Sequence, residues 1–148
     1  MAIPASVVGS TTLPVTVTVE RGRLALFAKA TGQHDKVYTD VTYAQAEGHR
    51  DLPVPPTFLF GLELEQPDPF AWIADLGVDL NHVLHGSQSF EYEQLAYAGD
   101  TLTAQSTVTD LYSKKGGALE FLERQTTVTR DDQKVATLTQ VLVVRNPS

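Results

Sequence analysis

The stretch Val54-Pro55-Pro56-Thr57-Phe58-Leu59-Phe60-Gly61-Leu62-Glu63-Leu64-Glu65 constrains the fold more than any other part of this chain. Two adjacent prolines fix φ and donate no N–H, which suits the mouth of a helix and not its interior. Phe58, Leu59, Phe60, Leu62 and Leu64 follow, and Pro67 and Pro69 end the run. The pattern predicts a helix of roughly ten residues, about 15 Å long at 1.5 Å per residue. It is apolar nearly all round in its first two turns, so most of its sides must be buried.

The material to bury it lies C-terminal. Val83 to Gln94 carries Phe90 and Tyr92 on one face and Ser87, Ser89, Glu91 and Glu93 on the other, the period of a strand. Thr101 to Tyr112, Leu119 to Thr129 and Val135 to Arg145 read as three further strands. Gly99-Asp100, Gly116-Gly117 and the segment from Arg130 to Lys134 mark the turns between them. Val141 to Val144 is apolar on both faces, which predicts cover on both sides: the helix on one, a partner subunit on the other.

The N-terminal part is shorter in its elements. Val15, Val17 and Val19 alternate with Thr16 and Thr18 as a strand, and Pro14 restricts it to a strand start or a sheet edge. Arg21 to Thr31 predicts an amphipathic helix through Leu24, Phe27 and Ala28, stopped by Gly32. A polar loop from Gln33 to Asp40 precedes a second short helix, Val41 to Glu47, capped by Asp40 or Thr39. Between Pro67 and Asn81, Phe70, Trp72, Ile73 and Leu76 fit one or two helical turns. Three readings stand for them: a flap over an apolar opening, a subunit contact, or a patch on the core.

Helices followed by a run of strands predict an α+β domain. One long buried central helix must lie across the concave face of one curved antiparallel sheet of about five strands, the arrangement called a hot-dog fold. With 148 residues, positions 1–148 are read as a single domain.

Composition narrows the partners. A net charge of −7 opposes binding to nucleic acid and to anionic membranes, both of which need a basic footprint. The absence of cysteine removes disulfides, thiolate nucleophiles and thiolate-bound metals. His82 and His85 are three apart in a non-helical region with no third ligand evident, so no metal and no cofactor are expected. Met1 to Ser10 lacks the pattern of a secretory signal, no apolar run approaches the ~18 residues of a membrane span, and a cytoplasmic location is expected. His49-Arg50 is either a phosphate contact or a solvated surface pair.

Three segments carry a family resemblance. Ala28 to Ala44, Leu52 to Phe58, and Leu84-His85-Gly86-Ser87-Gln88-Ser89-Phe90-Glu91-Tyr92 with Ala98-Gly99-Asp100-Thr101-Leu102 are similar, in order and spacing, to MaoC-type acyl-thioester hydratases and dehydratases, in particular to the FAS1-like, or MaoC N-terminal type, dehydratase domain. The resemblance covers almost the whole chain. It implies paired hot-dog domains, in a homodimer or in a heterodimer with a catalytic MaoC-type subunit, and a tunnel for an acyl chain on CoA or an acyl carrier protein, chemistry of fatty acid metabolism. The implied reaction is reversible addition of water to an enoyl thioester, giving the (R)-3-hydroxyacyl thioester.

That reaction needs an acid and a base on one face of the substrate, and a donor for the enolate-like oxygen. Active members of the family supply an Asp and, five residues later, a His. Those positions fall here on Gln33, which cannot titrate, and Tyr38, whose ordinary pKa is about 10. His34, Asp35 and His85 are the remaining candidates for catalysis. Pro56, Thr57, Phe58 and Gly86 are expected to bind substrate, with the Thr57 and Phe58 N–H groups receiving the thioester carbonyl. Three functions stay open: a hydratase or dehydratase using unusual residues, a substrate-binding subunit that lends its tunnel to a catalytic partner, and a hot-dog thioesterase using Glu63.

Overall fold

The computed structural model describes residues 3–147. Strand β1 (Val15–Thr18) leads into helix α1 (Arg21–Ala30), α2 (Val41–Ala46), a central 3₁₀ helix (Phe58–Glu65) and α3 (Ala71–Asp75). Four long strands complete the chain: β2 (Val83–Tyr92), β3 (Thr101–Lys114), β4 (Leu119–Arg130) and β5 (Gln133–Arg145). They form one sheet of five strands in the order β1-β3-β4-β5-β2, with every neighbouring pair antiparallel. This is the hot-dog arrangement.

Local chemistry explains the smaller elements. Asp40 caps α2 by accepting from the Tyr43 N–H at 3.1 Å. Gly32 leaves α1 at φ 71°, a conformation that costs glycine little. Pro14 sits just ahead of edge strand β1, where its missing N–H does no harm. The β4–β5 hairpin turns through Asp131 and Asp132 at φ 51° and 61°, the left-handed pair that matches the twist of the flanking strands.

The central helix differs from the expected α-helix. Thr57 enters it at φ 72° and supplies no side-chain cap. The first N–H groups instead reach three residues back, Phe58 to the Pro55 carbonyl and Phe60 to that of Thr57. At about 2.0 Å per residue, this tighter helix of eight residues still spans about 16 Å. Leu59 and Leu62 are buried in a cluster with Leu102, Ala104, Val128 and Leu138 of the sheet. Phe60 and Leu64, by contrast, remain 38 % and 47 % exposed, so the helix is buried on fewer sides than its composition predicts.

A second apolar cluster covers the other end of the same sheet face. Ile3, Val7, Val108, Leu122 and Val144 form it, with Trp72, Leu76 and Val78 of the α3 region packed against them. Ile73 is buried while Phe70 is 44 % exposed, so this segment both patches the core and overhangs an opening.

Candidate functional site

The concave face is not apolar throughout. Between its two hydrophobic clusters runs a belt of polar side chains, one set on each inner strand. Strand register puts Ser106 of β3 opposite Thr126 of β4, Arg124 of β4 opposite Gln140 of β5, and Gln88 of β2 opposite the same Gln140. Glu63 comes down on this belt from the central helix. Its carboxylate accepts from Arg124 Nη2 at 2.7 Å and from Ser106 Oγ at 2.8 Å. Arg124 Nε also donates to Gln140 Oε1 at 2.9 Å, and Ser106 and Thr126 share a hydroxyl bond of 2.6 Å. The guanidinium lies over the Trp72 ring, 4.4 Å from its centroid.

Burial pulls the Arg124 guanidinium below its ordinary pKa, against the opposing charge and hydrogen bond of Glu63. A buried ion pair of this kind is tolerable only because the remaining polar atoms are also paired. Gln88 Oε1 is the exception among the described residues: it is buried without a protein donor.

Over the belt opens a cavity of about 260 Å³. Phe60, Leu64, Phe70, Trp72, Leu80 and Leu142 line it on the apolar side, and Glu63, His85, Arg124 and Gln140 on the other. The exposed faces of Phe60, Leu64, Phe70 and Leu80 are therefore the walls of an opening. A mostly apolar hollow with a few fixed polar groups is the usual form of a small-molecule site.

Of the residues singled out from sequence, His85 belongs to this cavity. It stands at the bulge in β2, with its ring 5.5 Å from that of Phe60 and Nδ1 3.4 Å from Gln140 Nε2. Gly86 is the bulge residue itself. A Cβ there would come within 3.0 Å of the Val141 carbonyl oxygen and of Val143 Cγ2, so the position demands glycine because the neighbouring strand is close.

The 33–38 loop lies outside the lining of this cavity. Its polar groups serve the loop: Gln33 Oε1 accepts from the Asp35 N–H at 3.2 Å, and Asp35 accepts from the Val37 N–H at 3.0 Å. His34 is exposed. Burial, and then the charge of Asp35, push the Tyr38 phenol above its ordinary value, further from service as a base near neutrality. Val37 packs into the same cluster as Val54 and Phe58, which anchors this loop beside the start of the central helix.

The helix start is not open to a ligand as expected. The Thr57 N–H donates to the Tyr92 hydroxyl at 2.9 Å, and the Phe58 N–H is spent on Pro55. Pro56 is exposed beside them. A carbonyl arriving at Thr57 must displace the phenol of Tyr92, itself 48 % exposed.

Arg50 and Arg130 converge elsewhere, on buried Asp100, at 2.5 and 2.6 Å. Burial pushes the Asp100 carboxyl up, but hydrogen bonds from Arg50, the Tyr97 N–H and Arg130 outweigh it and hold the carboxyl below the ordinary range. The ring of Tyr97 stacks under Arg50, and its hydroxyl lies 3.2 Å from His49 Nδ1. His49-Arg50 is thus part of a turn-holding network. Among the described residues, no group of three or more His, Asp or Glu side chains gathers as a metal site requires, and no helix is long and apolar enough to cross a membrane.

Ser106, Arg124, Thr126 and Gln140 were not anticipated as site residues. Each occupies an inward position of a strand that also turns apolar residues inward, such as Leu102 and Val108 on β3, Leu122 and Val128 on β4, and Leu138 and Leu142 on β5, which is a readable signal once the pleat is assigned.

Comparison with known proteins agrees with this architecture. The family model described as the FAS1-like dehydratase domain region matches residues 6–138. A UPF0336 protein of Streptomyces coelicolor is 38% identical over 118 residues, 78% of each chain. Among solved structures, the ChsH1–ChsH2 complex of Mycobacterium tuberculosis superposes with a TM-score of 0.77 at 18% identity, over 97% of this chain and 88% of the other. The C-terminally truncated HadBC complex of the same organism, a 3R-hydroxyacyl-ACP dehydratase, gives 0.77 at 23% identity over 93% and 96%. The chain belongs to the FAS1-like dehydratase-region family of MaoC-like hot-dog proteins.

Proposed function

We propose that this chain is the acyl-thioester-binding subunit of a two-chain hydratase or dehydratase, taking an acyl group on CoA or an acyl carrier protein into the cavity beside its central helix. The observation that carries this reading is the 33–38 loop. Gln33 Oε1 and Asp35 Oδ1 are engaged by backbone N–H groups of the loop, and burial, then the Asp35 charge, raise the Tyr38 phenol so that less phenolate is present near neutrality. Each acid–base group is worth about 10²–10⁴ in rate, so a loop lacking both leaves a fold that binds without efficient turnover. Both solved relatives described above are complexes of two different chains, which supports a partner that supplies the missing pair.

A second reading rests on His85, the one imidazole lining the cavity, acting as base in a self-sufficient hydratase. Glu63 fits the thioesterase reading poorly, because both of its carboxylate oxygens are already engaged. The test is hydration of crotonyl-CoA, followed by loss of enoyl absorbance. The isolated chain should bind the thioester without turning it over, and a MaoC-type partner bearing Asp and His should restore turnover. Turnover by the isolated chain that is abolished in His85→Ala overturns the binding-subunit reading in favour of the second. Release of free thiol overturns both.

A further inference from the structure

Behind the cavity beside the central helix lies another of about 330 Å³, on the far side of α3. The two share one dividing wall. Trp72 and Arg124 line both, and the ring of one lies on the guanidinium of the other at 4.4 Å. Arg124 cannot yield easily, since Glu63 and Gln140 hold its Nη2 and Nε. Trp72 is fixed by that stack and by packing into the second apolar cluster, and it sits on a helix of only five residues.

We infer that Trp72 is the stop at the end of the acyl pocket: it sets the chain length the protein accepts, and confines its ligands to acyl groups short enough to end against the Trp72–Arg124 stack. The inference rests on the acyl-binding reading above and adds a specificity-determining residue to it. The chemistry on the two sides of the wall supports a stop at this point. The near cavity is walled by Phe60, Leu64, Phe70 and Leu142, while the far one presents Ser10, Thr12, Gln66, Asp68 and Asp75. An alkyl chain gains from the first set, while the second offers it Val7, Leu76 and Val108 interspersed among polar groups, beyond the Trp72–Arg124 stack. Removing the indole joins the two spaces and extends the apolar path along Trp72's own position to Val108, Leu76 and Val7.

The test is a ladder of saturated acyl-CoAs of increasing length, with affinity measured by calorimetry on the full chain. For the wild type, affinity should rise about fourfold per methylene, the return from burying one CH₂, and then level off at a defined length. Trp72→Ala should move that plateau several carbons longer. Trp72→Phe, which keeps a ring over Arg124, should keep the wild-type plateau. If Trp72→Ala does not fold, Trp72→Leu decides, with a smaller lengthening expected. Acyl-CoA binding with the same plateau in the wild type and the folded small-side-chain variant overturns this inference alone. No binding at any length overturns the acyl-site reading and this inference with it.

Discussion

Replacing Arg124 by Met separates a buried charge from its partner and leaves the packing of Trp72 an apolar neighbour. Arg124 and Glu63 expose only 12 % and 11 % of their side chains, so water cannot take over the lost contact. Glu63 would keep one hydrogen bond, from Ser106, and lose the one from the guanidinium. Stranding one member of a buried pair typically costs about 3–5 kcal/mol. At a slope of about 2 kcal/mol per M of urea, the midpoint should fall by roughly 2 M. Exchanging both residues, Glu63→Met with Arg124→Met, removes the stranded charge, and such apolar replacements are commonly neutral or stabilising. The double variant should therefore recover most of the loss, with a coupling of about 3 kcal/mol in the cycle. The chain holds a single tryptophan, Trp72, stacked on the guanidinium, so its fluorescence reports on the site while circular dichroism follows the sheet. A loss below about 1 kcal/mol in Arg124→Met means the pair behaves as a solvated surface bridge. A double variant as damaged as the sum of the singles means the two charges are not coupled. Either result refutes the belt as described.

Four other outcomes are expected. Asp100 has a folded-state pKa below its unfolded value of about 3.9, so its contribution is complete above that pH and is lost as the pH falls through the folded value; Asp100→Asn should cost about 1–3 kcal/mol at neutral pH and flatten the acid limb of the stability profile, measured by urea unfolding. Gly86→Ala sets a methyl against the Val141 carbonyl and should cost about 1–3 kcal/mol in the same assay, whereas Gly22→Ala, with open space around it in α1, should gain about 0.5–1 kcal/mol from helix propensity. Asp131→Asn with Asp132→Gly should gain about 0.5–1 kcal/mol by relieving two left-handed side-chain-bearing residues, read as a higher urea midpoint. Gln33→Asp with Tyr38→His should raise hydration of crotonyl-CoA by about 10²-fold or more; a folded double variant with no gain counts against the positions assigned to the missing pair.

Much of the architecture is local and was readable from the residues in order. The Val-Thr alternation of β1, the two glycines and the aspartates at the hairpin turns, and the cap at Asp40 all act over a few positions, and the structure bears each of them out. The strand edges moved by a few residues, with β3 running on to Lys114 and β5 starting at Gln133, because hairpin pairing extends strands past the last strongly patterned residue. The central helix was located correctly by its prolines and leucines, but its winding was not, because the left-handed turn at Thr57 and the missing cap tighten it to 3₁₀.

What the amino-acid order determined by itself was which segments are strands, where the turns fall, and which faces are oily. All three depend on side-chain type at short range. Tertiary structure alone decided where Glu63 finds its partners, since Ser106 lies 43 residues away and Arg124 lies 61. It also decided that Tyr92 takes the Thr57 N–H across 35 residues, and that Trp72 divides two cavities. These contacts are set by the register of four antiparallel strands and by the height of one helix above them. A shift of a single residue in that register would turn each polar group to the opposite face.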